Sequence, residues 1–238
     1  MAREFTRNLL IMGVSIMVGI VVITFFLADV VYQSQIQQLN SEHVSEIENI
    51  EENNIFFTSS FLESSVLLDS AREDRAFGNY HFDLAHLFFT SALSERNETK
   101  MDAYRLDCEK NCSKALPKYE LSSQNFILAS SFFESTKQYT NFQSYDTLLS
   151  MYVNLTNSGA KLTLLRYNAT IYLKMIAENI TFVNNSAVPL MDNLSDIMDL
   201  FNQTMIEYGG ELGNYEEIQD EIDEYNIEGF SPIREQVP

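Results

Sequence analysis

Few residues in this sequence have the types and spacing that catalysis or metal binding needs. The chain of 238 residues contains three histidines, His43, His81 and His86. His86 follows Asp83 by three positions, so the two share a helix face and amount to half of a metal site. No Glu-x-x-His, Gly-x-Ser-x-Gly, P-loop or Gly-x-Gly-x-x-Gly motif occurs. We therefore expect no enzyme, no cofactor and no metal centre, and we interpret Asp83 and His86 as an exposed or capped pair.

The two cysteines, Cys108 and Cys112, are four positions apart in a charged stretch. A zinc site needs four ligands, and no further Cys or His lies near them. In an oxidising compartment a local disulfide is the natural state of such a pair. We predict a disulfide between Cys108 and Cys112, with two free thiols as the alternative.

Asn-X-Ser/Thr sequons are frequent, and none has proline at the middle position. They predict N-glycosylation at several surface positions, since an attached oligosaccharide is bulky and must face solvent. The alternative is an asparagine-rich composition that is never modified. A glycan on the sequon between the two cysteines would hinder their pairing. The candidate acceptors are Asn97, Asn111, Asn154, Asn168, Asn179, Asn184, Asn193 and Asn202.

Carboxylates accumulate near the C-terminus, where residues 207–228 contain no Lys or Arg. We interpret them as a solvated acidic face; docking on a partner and collecting divalent cations are the alternatives. They do not match an EF-hand loop, which needs alternating ligands around a central glycine. The residues are Glu207, Glu211, Glu216, Glu217, Asp220, Glu221, Asp223, Glu224 and Glu228.

The formal net charge of the whole chain is −19. Contact with nucleic-acid phosphates needs a basic face, so no nucleic-acid partner is expected. The same charge disfavours contact with anionic lipid headgroups.

An uncharged apolar run covers residues 9–28. A helix of that length rises about 30 Å, the thickness of the hydrocarbon core of a bilayer. Arg3 and Arg7 precede the run, and the next Lys or Arg is Arg72, so the positive-inside bias places the N-terminus in the cytoplasm. We predict a cytoplasmic tail at 1–8 and a transmembrane anchor helix at 9–31 that contacts membrane lipid. A cleaved signal peptide is the alternative, but it would put Phe26 where a small residue is needed.

Apolar residues recur with a helical period almost throughout, and glycine and proline are scarce. The prediction is an all-α protein in which the anchor helix continues into an extracytoplasmic antiparallel helical bundle at 32–208, followed by an acidic helix and tail at 209–238. Turns are expected at Gly78-Asn79, Ser158-Gly159 and Gly209-Gly210. The predicted bundle helices extend from the anchor to about 70, then over 80–94, 122–139, 145–157, 160–184 and from about 189 to 208. A mostly helical, partly irregular segment is predicted at 95–120, and a short last helix at 215–225.

These features favour a single-pass protein of the cell membrane whose C-terminal domain faces the exterior. We expect it to act as a structural or accessory subunit of a larger surface assembly, through other protein subunits or self-association. A membrane helix that enters a helical bundle also resembles the sensory modules of chemoreceptors, which would imply ligand sensing through a signalling partner. An apolar N-terminal helix that extends into a soluble helix resembles pilins, and a filament subunit is the second alternative.

Overall fold

A computed structural model describes the backbone of residues 2–189 and 194–225, and the side chains of residues 30–188 and 194–225. The prediction of an all-α protein is confirmed, since strands account for only eight residues of this described part. The elements are α1 (Ala2–Ser94), α2 (Glu98–Thr136), a 3-10 turn (Lys137–Tyr139), α3 (Gln143–Glu178), β1 (Ile180–Val183), β2 (Ser186–Pro189) and α4 (Leu194–Glu224).

The chain divides into two compact units, Met1–Asn53 and Asn54–Pro238. The first unit is helical from Ala2 onward, as the N-terminal part of α1. Among residues 30–188 and 194–225, whose side chains are described, no helix combines the length and the apolar character needed to cross a membrane. Of the predicted anchor at 9–31, the side chains of residues 9–29 lie outside the described part of the chain.

The second unit is a four-helix bundle. Contacts between neighbouring helices pair rising residue numbers in one helix with falling numbers in the next, so each helix is antiparallel to its neighbour. The pairs are Phe61–Phe133 and Asn79–Tyr119 for α1 and α2, Ser130–Asn157 and Ser122–Thr163 for α2 and α3, and Lys161–Glu211 and Arg166–Met205 for α3 and α4. This is the up-down-up-down arrangement that short connections favour.

The bundle has two apolar clusters along its length. One contains Phe82, Tyr119 and Leu173 among its buried residues. The other contains Phe126 and Tyr152. Between the two clusters in sequence, each of α1, α2 and α3 carries buried or half-buried polar side chains: Arg72 and Arg75 in α1, Ser122 in α2, and Thr163 and Arg166 in α3. A polar layer therefore separates the two parts of the core.

The predicted turns at Gly78-Asn79 and Ser158-Gly159 are wrong, because α1 and α3 continue through them. Both glycines are buried against an aromatic ring of α2. A Cβ on Gly78 would lie 2.6 Å from Tyr119 Cε1, and a Cβ on Gly159 would lie 2.5 Å from Phe126 Cε1. Here glycine allows α2 to approach its neighbours closely instead of ending a helix.

Residues 95–120, predicted to be mostly helical and partly irregular, are irregular only at 95–97 and belong to α2 from Glu98 onward. Asn97 caps it by accepting a hydrogen bond from the Lys100 backbone N–H at 3.1 Å. Pro117 lies inside the helix and removes one backbone donor. The next two residues hold the helix in place across this point: Lys118 Nζ is 2.7 Å from Asp74 Oδ1, and Tyr119 donates to Asn79.

The helix predicted at 160–184 ends at Glu178, and an antiparallel hairpin of β1 and β2 follows. Its turn residues, Asn184 and Asn185, have φ of 52° and 62°, the left-handed conformation that a type I′ hairpin turn requires and that asparagine tolerates. Pro189 is in β2 and does not begin a helix. α4 continues past Gly209-Gly210 to Glu224, so the acidic helix predicted at 215–225 is the end of α4. Residues 226–238 lie outside the described part.

Candidate functional site

The most unusual site of the bundle is a set of buried polar side chains between α1 and α4, here called the arginine cluster: Arg72, Arg75, Tyr215 and Gln219. Arg72 Nε donates to the Tyr215 hydroxyl at 3.0 Å, and Arg72 Nη2 donates to Gln219 Oε1. The Arg75 guanidinium lies over the Tyr215 ring at 4.4 Å from its centroid. All four side chains are buried, so the cluster fixes α4 on α1 through polar contacts that exclude most water.

A second polar group surrounds the buried carboxylate of Glu211 in α4. Lys161 Nζ lies 2.5 Å from Oε2, Ser158 Oγ donates to Oε1 at 2.6 Å, and Asn214 Nδ2 donates to Oε1 at 3.1 Å. Burial by itself raises the pKa of Glu211, but the three hydrogen bonds favour the ionised form and their effect is larger, so the pKa lies below its ordinary value. The ionised carboxylate therefore holds α3 and α4 together.

We expect stability to fall at acidic pH through Glu211. Because its folded pKa is lowered, its contribution is fully present above the ordinary value of 4.5 and is lost as pH falls through the folded pKa. Glu211→Gln should lower the free energy of unfolding by about 1.5–3 kcal/mol at pH 7, the value of hydrogen bonds to a charged group. The difference from wild type should shrink below pH 4.5 in denaturant titrations.

Glu207→Gln is the matched control, because Glu207 is an exposed carboxylate one turn earlier in α4. Its change should stay within about 0.5 kcal/mol at every pH. A Glu211→Gln difference that did not depend on pH would contradict the assignment of an ionised, hydrogen-bonded carboxylate.

Asp83 and His86, which the sequence places on one helix face, point to different partners. Asp83 is exposed, with Oδ1 4.0 Å from Arg166 Nη1. His86 stacks with the rings of Phe82 and Phe201. Across the part of the chain that the structure describes, no three His, Cys, Asp or Glu side chains are grouped so that they could hold a metal ion.

Cys108 and Cys112 are free thiols, both buried in the core, in contrast to the predicted disulfide. They lie one turn apart in α2, where Cβ atoms are about 5–6 Å apart. A disulfide needs about 3.8 Å, so the regular helix keeps the two sulfurs separate. The hydrogen bond with Cys112 and burial raise the pKa of Cys108 far above its usual range, and the thiols act as small apolar core residues.

Asn111 is a structural residue of the bundle. Its Nδ2 donates to the Asp107 carbonyl at 2.8 Å, so its Oδ1, 2.9 Å from His81 Nδ1, must accept. His81 therefore carries its proton on Nδ1 and links α1 to α2. Glycosylation would join an oligosaccharide to an Asn111 nitrogen that is buried and already donates a hydrogen bond. A glycan at Asn111, as predicted from its sequon, does not fit this arrangement.

The other predicted acceptors lie at or near the surface wherever the structure describes them. Asn97, Asn154, Asn184 and Asn202 are exposed. Asn168 and Asn179 are half-buried, and Asn179 donates to the Met175 carbonyl. Asn193 lies outside the described residues. The geometry leaves room for a glycan at the four exposed positions without loss of core packing.

The acidic residues of α4 separate into two groups. Glu211 is buried and paired, whereas the other predicted carboxylates from Glu207 to Glu224 are exposed; Glu228 is beyond the described part. Three of the exposed ones, Glu216, Asp220 and Asp223, line a groove of about 380 Å³ whose wall also contains Gln219. Gln219 is 9% exposed, and its Nε2 has no hydrogen-bond acceptor among the described residues.

The residues that sequence reasoning missed are those of the arginine cluster. A signal was present, because Arg72 and Arg75 follow Leu68 at the spacing of one helix face. No known protein family, curated protein or solved structure matches this chain. The class that fold and site define is thus an all-α protein with an antiparallel four-helix bundle whose core contains a polar layer.

Proposed function

We propose that this is a single-pass, N-glycosylated protein of the cell surface that serves as a structural or accessory subunit of a larger membrane assembly. The observation that carries the proposal is the uncharged apolar run at 9–28, preceded by Arg3 and Arg7 and followed by no Lys or Arg until Arg72. A stretch of this length without charge is the pattern of a membrane-spanning helix, and the distribution of basic residues favours a bundle on the outside of the cell.

The sequons support the same compartment. All eight follow the apolar run, and four of the seven acceptors that the structure describes are exposed. Sequons on a bundle surface are compatible with the folded protein, because the glycan extends into solvent. The buried Asn111 is the exception within the set.

The proposed accessory role is supported by the positions of the buried ionisable side chains of the bundle. The buried ionisable side chains Arg72, Arg75 and Glu211 contact neighbouring helices, where they hold the bundle together. Large apolar side chains are meanwhile exposed along α1, among them Ile36 and Leu39. A protein that acts by binding other proteins through its surface fits this distribution better than one that acts at an interior site.

The proposal is tested by expressing the full-length chain in a eukaryotic host and extracting membranes with alkaline carbonate. We expect the protein to stay in the pellet, to be released by detergent and to lose mass on treatment with an N-glycosidase. Glycopeptide mapping should find sugar at Asn97, Asn154, Asn184 or Asn202 and none at Asn111. Purification in mild detergent from the membranes of its own source cells should retain other subunits or an oligomer.

A matched variant separates the anchor from the bundle. Val18→Arg with Val22→Arg places two charges in the apolar run, each costing about 2.5–3.5 kcal/mol at the centre of a membrane helix. This variant should lose both carbonate resistance and glycan. Release of the wild-type chain by carbonate without glycan, or its purification from source membranes as a bare monomer, would refute the proposal.

Ligand sensing is a second candidate, favoured by the groove beside Gln219. Gln219 Nε2 is a buried donor without a hydrogen-bond acceptor within the described chain, and Arg75 lines the same groove, while the rim carries three carboxylates. A zwitterion, with a carboxylate inward and an ammonium at the rim, would match both charges. Calorimetric titration of the full-length chain with the 20 free amino acids tests this: binding heat that Gln219→Leu removes favours sensing, and its absence counts against it.

A further inference from the structure

The first unit carries an exposed stripe of large apolar residues, here called the apolar seam. It consists of Tyr32, Ile36, Leu39, Ile47 and Ile50, each between 41% and 64% exposed. At 3.6 residues per turn, these side chains fall within about 80° of one another around the helix. A stripe of this width is the seam of a helix pair and is narrower than the face of a globular-core helix.

The position that would complete the seam between Leu39 and Ile47 is occupied by His43. Its Nδ1 lies 3.5 Å from Glu46 Oε2, and both side chains are exposed. One polar residue within an apolar seam is a common device for fixing the register of paired helices. Most of the stability of a helix in a protein comes from packing of its apolar face, so covering the seam would also stabilise α1 here.

The charges beside the seam indicate what can cover it. Residues 30–53 contain five glutamates, Glu42, Glu46, Glu48, Glu51 and Glu52, and no Lys or Arg. Glu46 and Glu51 flank the seam on its two sides, where paired helices place their facing charges. A second copy in register would bring glutamate against glutamate, which opposes pairing. Lys or Arg at the facing positions would instead form ion pairs.

We propose that the apolar seam binds one helix of another protein, with its own apolar seam flanked by Lys and Arg. This names the kind of partner for the accessory role and rests on that proposed function. Since residue 32 closely follows the apolar run at 9–28, the partner helix lies beside the membrane on the exterior side.

The test uses the full-length chain in detergent micelles and two synthetic helical peptides as probes. Both peptides carry the same Ile/Leu seam; one has lysine and the other glutamate at the flanking positions. Fluorescence anisotropy should show the lysine peptide binding at least about tenfold more tightly, with the preference weakening as salt is added. Equal binding of the two peptides, or no binding, would overturn the proposal.

Two variants guard against unfolding as a trivial explanation. Ile36→Asn with Ile47→Asn should abolish binding of the lysine peptide. Glu46→Lys with Glu51→Lys leaves the seam intact and should reverse the preference to the glutamate peptide.

Sedimentation of the wild-type chain should show no dimer formed through the seam; a dimer that the Ile36→Asn, Ile47→Asn variant loses would assign the seam to a second copy. Carbonate extraction tests the anchor separately, so failure of one proposal is distinguishable from failure of the other.

Discussion

Gly159→Ala is expected to destabilise the bundle by about 1–3 kcal/mol, the usual result of overpacking a core. The new Cβ would lie 2.5 Å from the Phe126 ring, which is fully buried and has no free direction in which to move. In an exposed helix the same substitution is favourable by about 0.5–1 kcal/mol, because glycine loses more backbone entropy on folding. The steric contact must therefore outweigh the gain in helix propensity. The measurement is chemical unfolding of the full-length chain, followed by circular dichroism at 222 nm.

Gly210→Ala is the matched control in α4. A Cβ at this residue would have nothing within 4 Å of it, and the residue is exposed. This variant should be stabilised by about 0.5–1 kcal/mol, the opposite sign. Two glycine-to-alanine variants of one bundle then differ by the contact with Phe126 alone. Stabilisation by Gly159→Ala would contradict the close approach of α2 and α3 at this ring.

These glycines explain why the helix boundaries could not be read from the sequence. In the sequence, Gly78, Gly159 and Gly210 are equivalent helix breakers. In the fold, Gly78 and Gly159 are sites of close packing between helices. Gly210 is exposed, and α4 continues through it because residues before and after it in the helix make tertiary contacts. Propensity is a weak term beside packing in a long helix, so a single glycine predicts a turn only where no neighbouring helix lies against it.

Periodicity was a more reliable guide than breakers. Leu162, Ala169 and Ile176 recur at helical spacing in α3, and all three are buried. Leu194 and Ile197, at the start of α4, are buried as well. The prediction failed beyond residue 178, where β-branched residues and an Asn-Asn turn form the hairpin. Alternation over four residues is too short a signal to be separated from a continuing helix.

The candidate site was only partly predictable. Glu211 was one of nine carboxylates that the sequence could not rank, because its partners Ser158 and Lys161 are some 50 positions away and are brought to it only by folding. The arginines were missed for a related reason: a charged residue on an apolar stripe is normally interpreted as a helix edge. Only the fold shows that Tyr215 and Gln219 stand opposite Arg72.

Arg72→Ala should cost about 2–5 kcal/mol of unfolding free energy, because two buried hydrogen bonds from a charged group are lost and a large side chain is removed from the core. Arg72 is 6% exposed and supplies the donors for two buried acceptors, the Tyr215 hydroxyl and Gln219 Oε1. Truncation leaves both acceptors unsatisfied and creates a cavity between α1 and α4. The exposed carboxylate of Asp69, 3.9 Å from Arg72 Nη1, contributes little because solvent screens it. Asp69→Ala should therefore change stability by less than about 1 kcal/mol.

A double-mutant cycle with Tyr215→Phe isolates the contact between α1 and α4. Tyr215→Phe alone removes the hydroxyl and leaves one arginine N–H without its acceptor, at a cost of about 1–3 kcal/mol. In the double variant the arginine is absent, so no arginine N–H is left without its acceptor. The loss of unfolding free energy in the double variant should therefore be smaller than the sum of the two single losses by about 0.5–3 kcal/mol. Additivity within about 0.3 kcal/mol would mean that Arg72 and Tyr215 do not interact. The polar layer would then stabilise the bundle by packing, and α4 would be held by the apolar residues around it, such as Ile222.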